Sequence, residues 1–443
     1  MTDSKKTGNG DAAALDAQHI WHPYTQAETA PAPIEIVAGK GAWIRAADGR
    51  EFLDLISSWW VNVHGHAHPA IAQAISRQAS ALEHVIFADF THKPAAELSA
   101  RLCAIAPEGL SRVFFSDNGS TAVEVALKIA VQYWRNRGTP ERKGFLSFAG
   151  GYHGDTVGAM SVGAQSGFFA PFSDLMFKAD FLPFPDSWDG DNEAAEKERA
   201  ALEALNAHLD DHEAKTAAII VEPLIQGAGG MRMCRPEFLS KLVEVARARD
   251  VLVIFDEVMT GFGRTGEMFA STTAGVSPDM MCLSKGLTGG FLPMGATLCR
   301  EAIFDAFRGN GFDKAFAHGH SYTANPLGCA AALASLDLFE SGAWRARAKA
   351  INAKHRVFLD GLAGHKRVRR PRLTGTVAAF DVVCSDSGYQ AAIGSKLKQE
   401  FLDRGMLLRP LGNVVYLMPP YCIEDADLDR AYGAVRDVLD LID

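Results

Sequence analysis

Short segments that are almost entirely apolar recur along the middle of the chain, and they constrain the fold more than any other feature. Between several of them the apolar residues recur every three or four positions, which is typical of amphipathic helices. Strands that are apolar throughout are buried on both faces, as in parallel sheets covered by helices. The sequence therefore predicts an α/β fold built on a mainly parallel sheet. The predicted strands are VFFS (113–116), GFLSFAG (144–150), AAIIVEP (217–223), VLVIFDE (251–257), MMCLS (280–284) and MGATLC (294–299).

The sequence pattern changes on both sides of this region. Residues 34–56 alternate apolar and polar side chains around Asp48-Gly49, which predicts short strands joined by a turn. A single long helix is predicted over 326–363. After it, the sequence predicts a compact α+β unit. Its predicted elements are the strands TGTVAAFDVV (374–383) and NVVYLMP (413–419) and the helices 389–404 and 424–442.

At 443 residues the chain is too long for one core, so we expect two domains. A large domain is expected to span residues 69–335. Residues 1–68 are expected to join residues 336–443 in a smaller α+β domain.

Composition excludes several classes of function. The chain has 44 Lys and Arg against 53 Asp and Glu, a net charge of −9, so nucleic acid is not an expected partner. Its seven cysteines form no C-x-x-C pair, which fits neither a disulfide framework nor a zinc site. No stretch reaches the roughly 18 apolar residues that a membrane helix needs, and residues 1–18 lack the apolar core of a signal peptide. We therefore expect a soluble, cytoplasmic protein with no membrane partner.

Two charged residues follow predicted strands. Asp256 ends VLVIF, and Lys285 follows MMCLS. Ligands of open α/β sheets bind at the carboxyl ends of the strands, so both side chains are expected to face one crevice. A lysine in an apolar pocket is unfavourable unless it is paired or its charge is removed, and condensation with an aldehyde removes it. Taken singly, Asp256 is equally explained as a cap and Lys285 as a surface residue.

Two further segments fit a phosphorylated, planar ligand. Gly119-Ser120-Thr121 opens a predicted helix over 120–136, and the free N–H groups of a helix N-terminus bind phosphate; simple capping by Ser120 is the alternative. In GGYHGDT (150–156), Tyr152 lies among glycines that permit close approach to a planar ring, although a tight turn with a surface aromatic explains the same residues. A phosphate cradle, a ring platform, a carboxylate and an amine together predict pyridoxal 5'-phosphate, with Asp256 beside the ring nitrogen and Lys285 bound to the aldehyde.

The same segments resemble a known family. DEVMTGFGRTG (256–266) and PDMMCLSKGLTGG (278–290) resemble the signature of the class III, or ω-, aminotransferases of PLP fold type I, which implies a seven-stranded sheet in the large domain. Within that class, HIWHPYTQ (19–26) and SSWWVNVHGHAHP (57–69) most resemble the aminotransferases of biotin biosynthesis. Those enzymes convert 8-amino-7-oxononanoate to 7,8-diaminononanoate, usually with S-adenosylmethionine as amino donor.

The resemblance implies roles for individual residues. For the cofactor it implies Lys285 as the covalent attachment point, Asp256 at the ring nitrogen, Glu222 near the ring hydroxyl, and a phosphate contact from Ser321 across a homodimer interface. The loop HGHSYTANP (318–326) that carries Ser321 also carries Gly319. The remaining residues implied are Gly119, Ser120 and Tyr152 for the cofactor and Tyr24, Trp59, Gly319, Arg409 and Tyr416 for the substrate.

The substrate residues suit a long apolar chain that ends in a carboxylate. Aromatic walls suit the chain, and the planar guanidinium of Arg409 suits the carboxylate. Adjacent residues of an extended segment face opposite ways, so we assign Trp59 rather than Trp60 to the pocket. Arg264 is either a second anion-binding group or an ion pair that holds its loop.

Other functions remain as alternatives. Another class III aminotransferase, acting on ω-amino acids or polyamines with pyruvate, is the nearest, and a non-catalytic module of the same fold is more remote. The alternating histidines of 64–68 suggest a metal site, but zinc would need further ligands and no H-E-x-x-H motif occurs. GAGGMR (227–232) does not match the dinucleotide-binding pattern. We expect no metal.

Overall fold

The computed structural model describes residues 12–163, 169–384 and 391–442. The helices are α1 (Ala12–His19), α2 (Ser57–Trp60), α3 (Pro69–Ala79), α4 (Lys93–Ile105), α5 (Gly119–Asn136), α6 (Val157–Val162), α7 (Ala194–His212), α8 (Pro236–Ala248), α9 (Ala270–Ala274), α10 (Glu301–Asp305), α11 (Pro326–Glu340), α12 (Ala343–Asp360), α13 (Ile393–Asp403) and α14 (Asp425–Leu441). The strands are β1 (Ile36–Lys40), β2 (Trp43–Ala46), β3 (Glu51–Asp54), β4 (Leu110–Ser116), β5 (Gly144–Phe148), β6 (Asp180–Leu182), β7 (Thr216–Val221), β8 (Ile225–Gln226), β9 (Arg232–Met233), β10 (Leu252–Asp256), β11 (Met280–Leu283), β12 (Gly295–Arg300), β13 (Val368–Thr374), β14 (Val377–Val382), β15 (Met406–Leu407) and β16 (Val414–Leu417).

A seven-stranded sheet forms the centre of the molecule, in the order β4-β12-β11-β10-β7-β5-β6. Its strands run parallel except β12, which is antiparallel to both neighbours. The predicted α/β fold with a mainly parallel sheet is confirmed, and each strand predicted between 113 and 299 is present. The three-residue edge strand β6 was not predicted, because so short a segment carries no periodic signal.

Helices cover both faces of this sheet. Along β10, Leu252 and Ile254 pack into a core with α5, whereas Val253 and Phe255 pack into a second core with α8. Every residue of β7, β10 and β11 is buried, which explains their uninterrupted apolar sequence. Burying each large aliphatic side chain stabilises the fold by about 1.5–3 kcal/mol, so this register is strongly specified.

Two smaller sheets contain the remaining long strands. The first has the order β1-β2-β3-β15, and its β15 pairs in parallel with β3, so the C-terminal part of the chain completes a sheet begun near the N-terminus. The second has the order β13-β14-β16. This pairing agrees with a small domain built from both termini. The boundaries 1–68, 69–335 and 336–443 stay a prediction.

The prediction of a single long helix over 326–363 is wrong. The chain forms α11 and α12, separated at Gly342, whose φ of +74° lies in the left-handed region. Only glycine enters that region without strain, so the helical direction changes there although the apolar period continues on both sides. The predicted helix 389–404 is present as α13, and residues 389 and 390 lie outside the described residues. No helix in the described ranges has the length and apolar character needed to cross a bilayer.

Candidate active site

Two cavities meet at Lys285. The smaller one, of about 420 Å³, lies at the carboxyl ends of β10 and β11, and we call it the inner cavity. The larger one, of about 1190 Å³, opens between the central sheet and the strands near the C-terminus, and we call it the outer cavity. Trp59, Trp60, Tyr152 and Lys285 line both cavities, so a ligand in one can extend into the other.

Parallel pairing of β10 and β11 brings Asp256 and Lys285 to the inner cavity. Asp256 is the last residue of β10 and lies opposite Cys282 of β11. Lys285 follows β11 after one residue and begins a short turn of 3₁₀ helix, with a left-handed φ of +42°. Both side chains line the inner cavity, as the strand-end argument expects. Their roles toward a cofactor stay predictions.

The surroundings of Lys285 shift its amine toward the neutral form. Burial lowers its pKa to about 8, and the negative charges of Asp256 and Glu222 oppose that shift only in part. The side chain keeps some surface open to the cavity. Its Nζ lies 4.7 Å from the centroid of the Trp60 ring, and no ion pair involves it within the described residues. A lysine held this way is suited to attack a carbonyl carbon.

Asp256 is held by a histidine that sequence reasoning missed. His153 Nδ1 lies 2.7 Å from Asp256 Oδ2, and the backbone N–H of Val258 donates to Oδ1 at 3.1 Å. Asp256 and His153 are both buried. One sequence feature could have identified His153: it directly follows Tyr152 in GGYHGDT, a segment that the sequence already assigns to the site.

The N-terminus of α5 forms one end of the inner cavity. Its cap is Asn118, whose Oδ1 accepts from Thr121 N at 3.0 Å, while Thr121 Oγ1 accepts from Asn118 N at 3.0 Å. Ser120 therefore does not cap this helix. Its Oγ accepts from the backbone N–H of Asp155 at 3.2 Å and lines the cavity.

Glycines bring the backbone close to this helix end. A Cβ on Gly154 would lie 2.1 Å from Ser120 Oγ, and one on Gly119 would lie 2.6 Å from Val258 Cγ1. The cradle exists only because both side chains are absent. Free N–H groups at a helix N-terminus in such a cradle fit the phosphate of pyridoxal phosphate.

Glu222 fixes the segment that carries Tyr152. Its two carboxylate oxygens accept from the backbone N–H groups of Tyr152 and Gly227, each at 2.9 Å. Burial raises the pKa of Glu222 to about 7. The pKa of Tyr152 is also raised, mainly by burial and then by Asp155 and Tyr24, so its phenol stays protonated. Tyr152 lines both cavities and is placed to border a planar ligand.

The assignment of Trp59-Trp60 to an extended segment is wrong. Residues 57–60 form α2, a single irregular turn in which Ser57, Ser58 and Trp60 have left-handed φ values. Trp60 is 6% exposed and its Nε1 donates to Tyr416 Oη at 2.9 Å, whereas Trp59 is 44% exposed. Because the chain turns rather than extends, both indoles line the cavities, and Trp60 belongs to the site with Trp59.

The outer cavity combines aromatic walls with a cation. The Arg409 guanidinium lies over the Trp59 ring, with its carbon 4.8 Å from the centroid. The Tyr24 ring centroid lies 6.0 Å from that of Trp59, and Tyr24 Oη donates to Asp155 Oδ2 at 2.6 Å. Tyr416 is buried beneath them. Tyr24, Trp59, Arg409 and Tyr416 thus lie around one cavity.

Gly319 and Ser321 lie apart from the other predicted site residues. Both are exposed, and neither lines the inner or the outer cavity of its own chain. Their loop is attached to α5, where Gln132 Nε2 donates to Ala315 O at 2.8 Å and Lys128 Nζ lies 2.9 Å from His318 Nδ1. The role predicted for Ser321 at a cofactor phosphate stays a prediction.

Arg264 has a structural role. It is buried, its Nη1 donates to Pro419 O at 2.8 Å, and its Nη2 lies 3.5 Å from Trp60 O. It borders neither cavity, so the anion-binding interpretation is wrong. It holds its loop through backbone carbonyls rather than through an ion pair.

The histidines of 64–68 make separate contacts. His64 Nε2 lies 3.0 Å from Ser335 Oγ, and His66 Nε2 lies 2.8 Å from Asp54 Oδ2. Within the described ranges, no three His, Cys, Asp or Glu side chains are grouped to hold a metal ion.

Comparisons with known proteins identify the family of this chain. A family model described as aminotransferase class-III matches residues 24–439. A Synechococcus elongatus protein named adenosylmethionine-8-amino-7-oxononanoate aminotransferase is 55% identical, over 96% of this chain and 99% of its own length. A solved structure of the same name from Methanocaldococcus jannaschii has a TM-score of 0.88 at 33% identity, covering 96% of this chain and 98% of its own. A PLP-bound amine transaminase from an uncultivated Pseudomonas species has a TM-score of 0.88 at 34% identity, covering 94% and 97%. The chain belongs to the class-III aminotransferases.

Proposed function

We propose that this protein transfers an amino group to 8-amino-7-oxononanoate, giving 7,8-diaminononanoate for biotin biosynthesis, with pyridoxal phosphate as cofactor and S-adenosylmethionine as amino donor. The observation that carries the proposal is the shared inner cavity of Asp256 and Lys285, continuous with an aromatic cavity that contains Arg409. The names of its relatives agree with this substrate.

The inner cavity is assigned to the cofactor. Pyridoxal phosphate supplies an aldehyde that amines attack and a ring that accepts the electron pair left when carbon loses a proton. Gly119 and Ser120 at the start of α5 hold the phosphate. Asp256 keeps the ring nitrogen protonated, and Tyr152 covers one ring face. Glu222 acts near the ring hydroxyl and holds the Tyr152 segment through its backbone hydrogen bonds.

Lys285 is assigned as the catalytic acid and base. With a pKa of about 8, its Nζ is neutral in roughly a tenth of molecules at pH 7, far more than for an exposed lysine. A neutral Nζ can take the proton from the substrate's α-carbon and return it to the neighbouring carbon of the cofactor. The Trp60 indole beside Nζ limits the access of water to this proton.

The outer cavity is assigned to the substrate. The apolar chain of 8-amino-7-oxononanoate lies along Tyr24, Trp59 and Tyr416, and its carboxylate pairs with Arg409. The cavity volume of about 1190 Å³ leaves room for a donor larger than a nine-carbon acid. Donor and acceptor occupy it in turn, since the two half-reactions share one cofactor.

We further propose that the active form is a homodimer in the cytoplasm. Exposure of Gly319 and Ser321 supports an active site completed by this loop from a second subunit. Large apolar side chains near the loop are also exposed, including Tyr322 at 64% and Ile86 at 61%, as expected of a subunit interface. No disulfide joins Cys103, Cys234, Cys282, Cys299, Cys329 or Cys422, which agrees with a reducing compartment.

The experiment is an assay of purified protein with pyridoxal phosphate, 8-amino-7-oxononanoate and separate amino donors. Formation of 7,8-diaminononanoate with S-adenosylmethionine is expected, measured by mass spectrometry. The competing function is transfer from ω-amino acids or polyamines to pyruvate. Turnover with those pairs and none with 8-amino-7-oxononanoate would replace the proposed substrate while leaving the family unchanged.

A further inference from the structure

Besides Arg409, the wall of the outer cavity carries a lysine, Lys398, to which the proposed reaction gives no role. Lys398, on α13, borders the cavity together with Arg409. Lys398 is exposed to solvent at this wall, yet desolvation and then the positive charge of Arg409 lower the pKa of its amine, which indicates that the two cations repel each other. Like charges placed together on a cavity wall destabilise one another unless an anion lies between them.

Three further arginines of the outer cavity already have partners. Arg232 pairs with Asp186 at 3.6 Å. Arg372 pairs with Asp381 at 2.9 Å and donates to two backbone carbonyls. Arg370 lies over the Trp188 ring, and its Nη1 is 3.9 Å from Asp381.

Lys398 and Arg409 have no such partner. Among the residues that the structure describes, neither takes part in an ion pair, and Lys398 makes no hydrogen bond. The Arg409 guanidinium lies over the Trp59 ring instead. In a chain of net charge −9, two uncompensated cations at the wall of one cavity focus a positive potential where an anionic group of a ligand is to bind.

We infer that Lys398 is a second carboxylate-binding residue, which together with Arg409 selects substrates that carry a carboxylate at the end of an apolar chain. The inference rests on the proposed function for the identity of that substrate. Arg409 provides planar, directional hydrogen bonds, and Lys398 adds a compact charge on a flexible stem. With two cations rather than one, loss of either weakens binding of the acid without abolishing it.

The test separates binding from turnover. Nonanoate has the acceptor's chain length and carboxylate but neither its amine nor its ketone, and nonan-1-ol lacks the carboxylate. Binding of each to the cofactor-loaded enzyme is measured by calorimetry for wild type, Lys398→Met, Lys398→Gln and Lys398→Arg. Lys396→Met is the matched control, since Lys396 is exposed on the same helix and borders neither cavity.

The expected result is a loss of affinity for nonanoate of about tenfold in both neutral variants, between the effect of an exposed ion pair and that of a charge-assisted hydrogen bond. Lys398→Arg should retain most of the affinity, and Lys396→Met all of it. Nonan-1-ol should bind all variants equally, and their melting temperatures should agree. With 8-amino-7-oxononanoate, the neutral variants should raise KM by a similar factor and leave kcat unchanged.

Equal affinity of wild type and Lys398→Met for nonanoate would overturn the inference, as would failure of nonanoate to bind wild type. Absence of turnover with 8-amino-7-oxononanoate would instead overturn the proposed function. The nonanoate result would still decide the role of Lys398 in that event.

Discussion

His153 Nδ1 lies 2.7 Å from Asp256 Oδ2, and both side chains are buried beside the cavity assigned to the cofactor. His153 follows Tyr152 in the chain, and Glu222 holds the Tyr152 backbone. One short segment therefore positions both Tyr152, the proposed ring platform, and Asp256, the carboxylate proposed to face the ring nitrogen. The two contacts couple the orientation of Asp256 to the orientation of Tyr152.

Asp256→Asn should lower kcat/KM by about 10²–10³-fold, because a charge that stabilises the protonated ring nitrogen is lost. His153→Phe should have a smaller effect, of about tenfold to a hundredfold, since it only allows the carboxylate to shift. Steady-state kinetics with saturating cofactor measure both. Equal losses in the two variants would mean that His153 acts on the reaction directly rather than as a positioning residue.

Lys285→Met should stabilise the cofactor-free protein in a pH-dependent way. The pKa of Lys285 is lowered from 10.5 to about 8 in the folded chain, so between these values the unfolded chain binds more protons. Stability of the wild type therefore rises with pH across this window, and the penalty of the buried charge is complete below it. The gain from Lys285→Met should be on the order of 3 kcal/mol at pH 7, since the shift is about 2.5 pKa units and one unit corresponds to about 1.4 kcal/mol.

Denaturant unfolding between pH 7 and 10.5 measures this gain, which should shrink toward the alkaline end. Lys396→Met, which replaces an exposed lysine, is the control and should show no such trend. A gain that is independent of pH would show that the removed charge is not its source.

Gly154→Ala should weaken binding of pyridoxal phosphate. The new Cβ would lie 2.1 Å from Ser120 Oγ and displace the side chain at the phosphate cradle. Gly138→Ala is a matched control, because Gly138 also has a positive φ but a Cβ there meets no atom within 4 Å. Both substitutions place a side chain at a positive φ and strain the backbone, with the larger strain expected at Gly154, whose φ is +124°. Only Gly154→Ala should raise the Kd for the cofactor, by about tenfold or more in fluorescence titrations. Similar Kd values for the two variants would argue against the cradle.

Mixed dimers should recover activity from two inactive chains. Lys285→Ala removes the proposed catalytic amine, and Ser321→Glu places a negative charge where the loop is proposed to meet a phosphate. If the loop serves the other subunit, a mixed dimer has one site with an intact Lys285 and an intact Ser321. Refolding an equal mixture of the two variants should then give about a quarter of wild-type activity, since half of the dimers are mixed and each has one working site. No recovery would mean that each chain completes its own site.

The strand-end residues were predictable from the sequence, and the reason is physical. Apolar strands in a parallel sheet must bury both faces, and their carboxyl ends meet at one edge. Asp256 and Lys285 could therefore be placed beside the same cavity from the positions of β10 and β11 alone. The N-terminus of α5 was predictable for a similar reason, although its cap is Asn118 rather than Ser120.

Other features depend on local backbone geometry, which periodicity does not encode. The turn at 57–60 rests on three left-handed residues that are not glycine, so an extended segment was the natural expectation for Trp59 and Trp60. The break at Gly342 interrupts an otherwise continuous helical pattern. The contact of His153 with Asp256 joins residues 103 positions apart and needs the folded sheet to be seen.

The central claim is that Lys285 binds the aldehyde of pyridoxal phosphate beside Asp256. Borohydride reduction of the cofactor-loaded protein makes the bond between an amine and this aldehyde permanent, and mass spectrometry of the digested protein then locates the label. The account predicts a single pyridoxyl group on the peptide that contains Lys285. A label on a different lysine, or none in protein saturated with the cofactor, would contradict it.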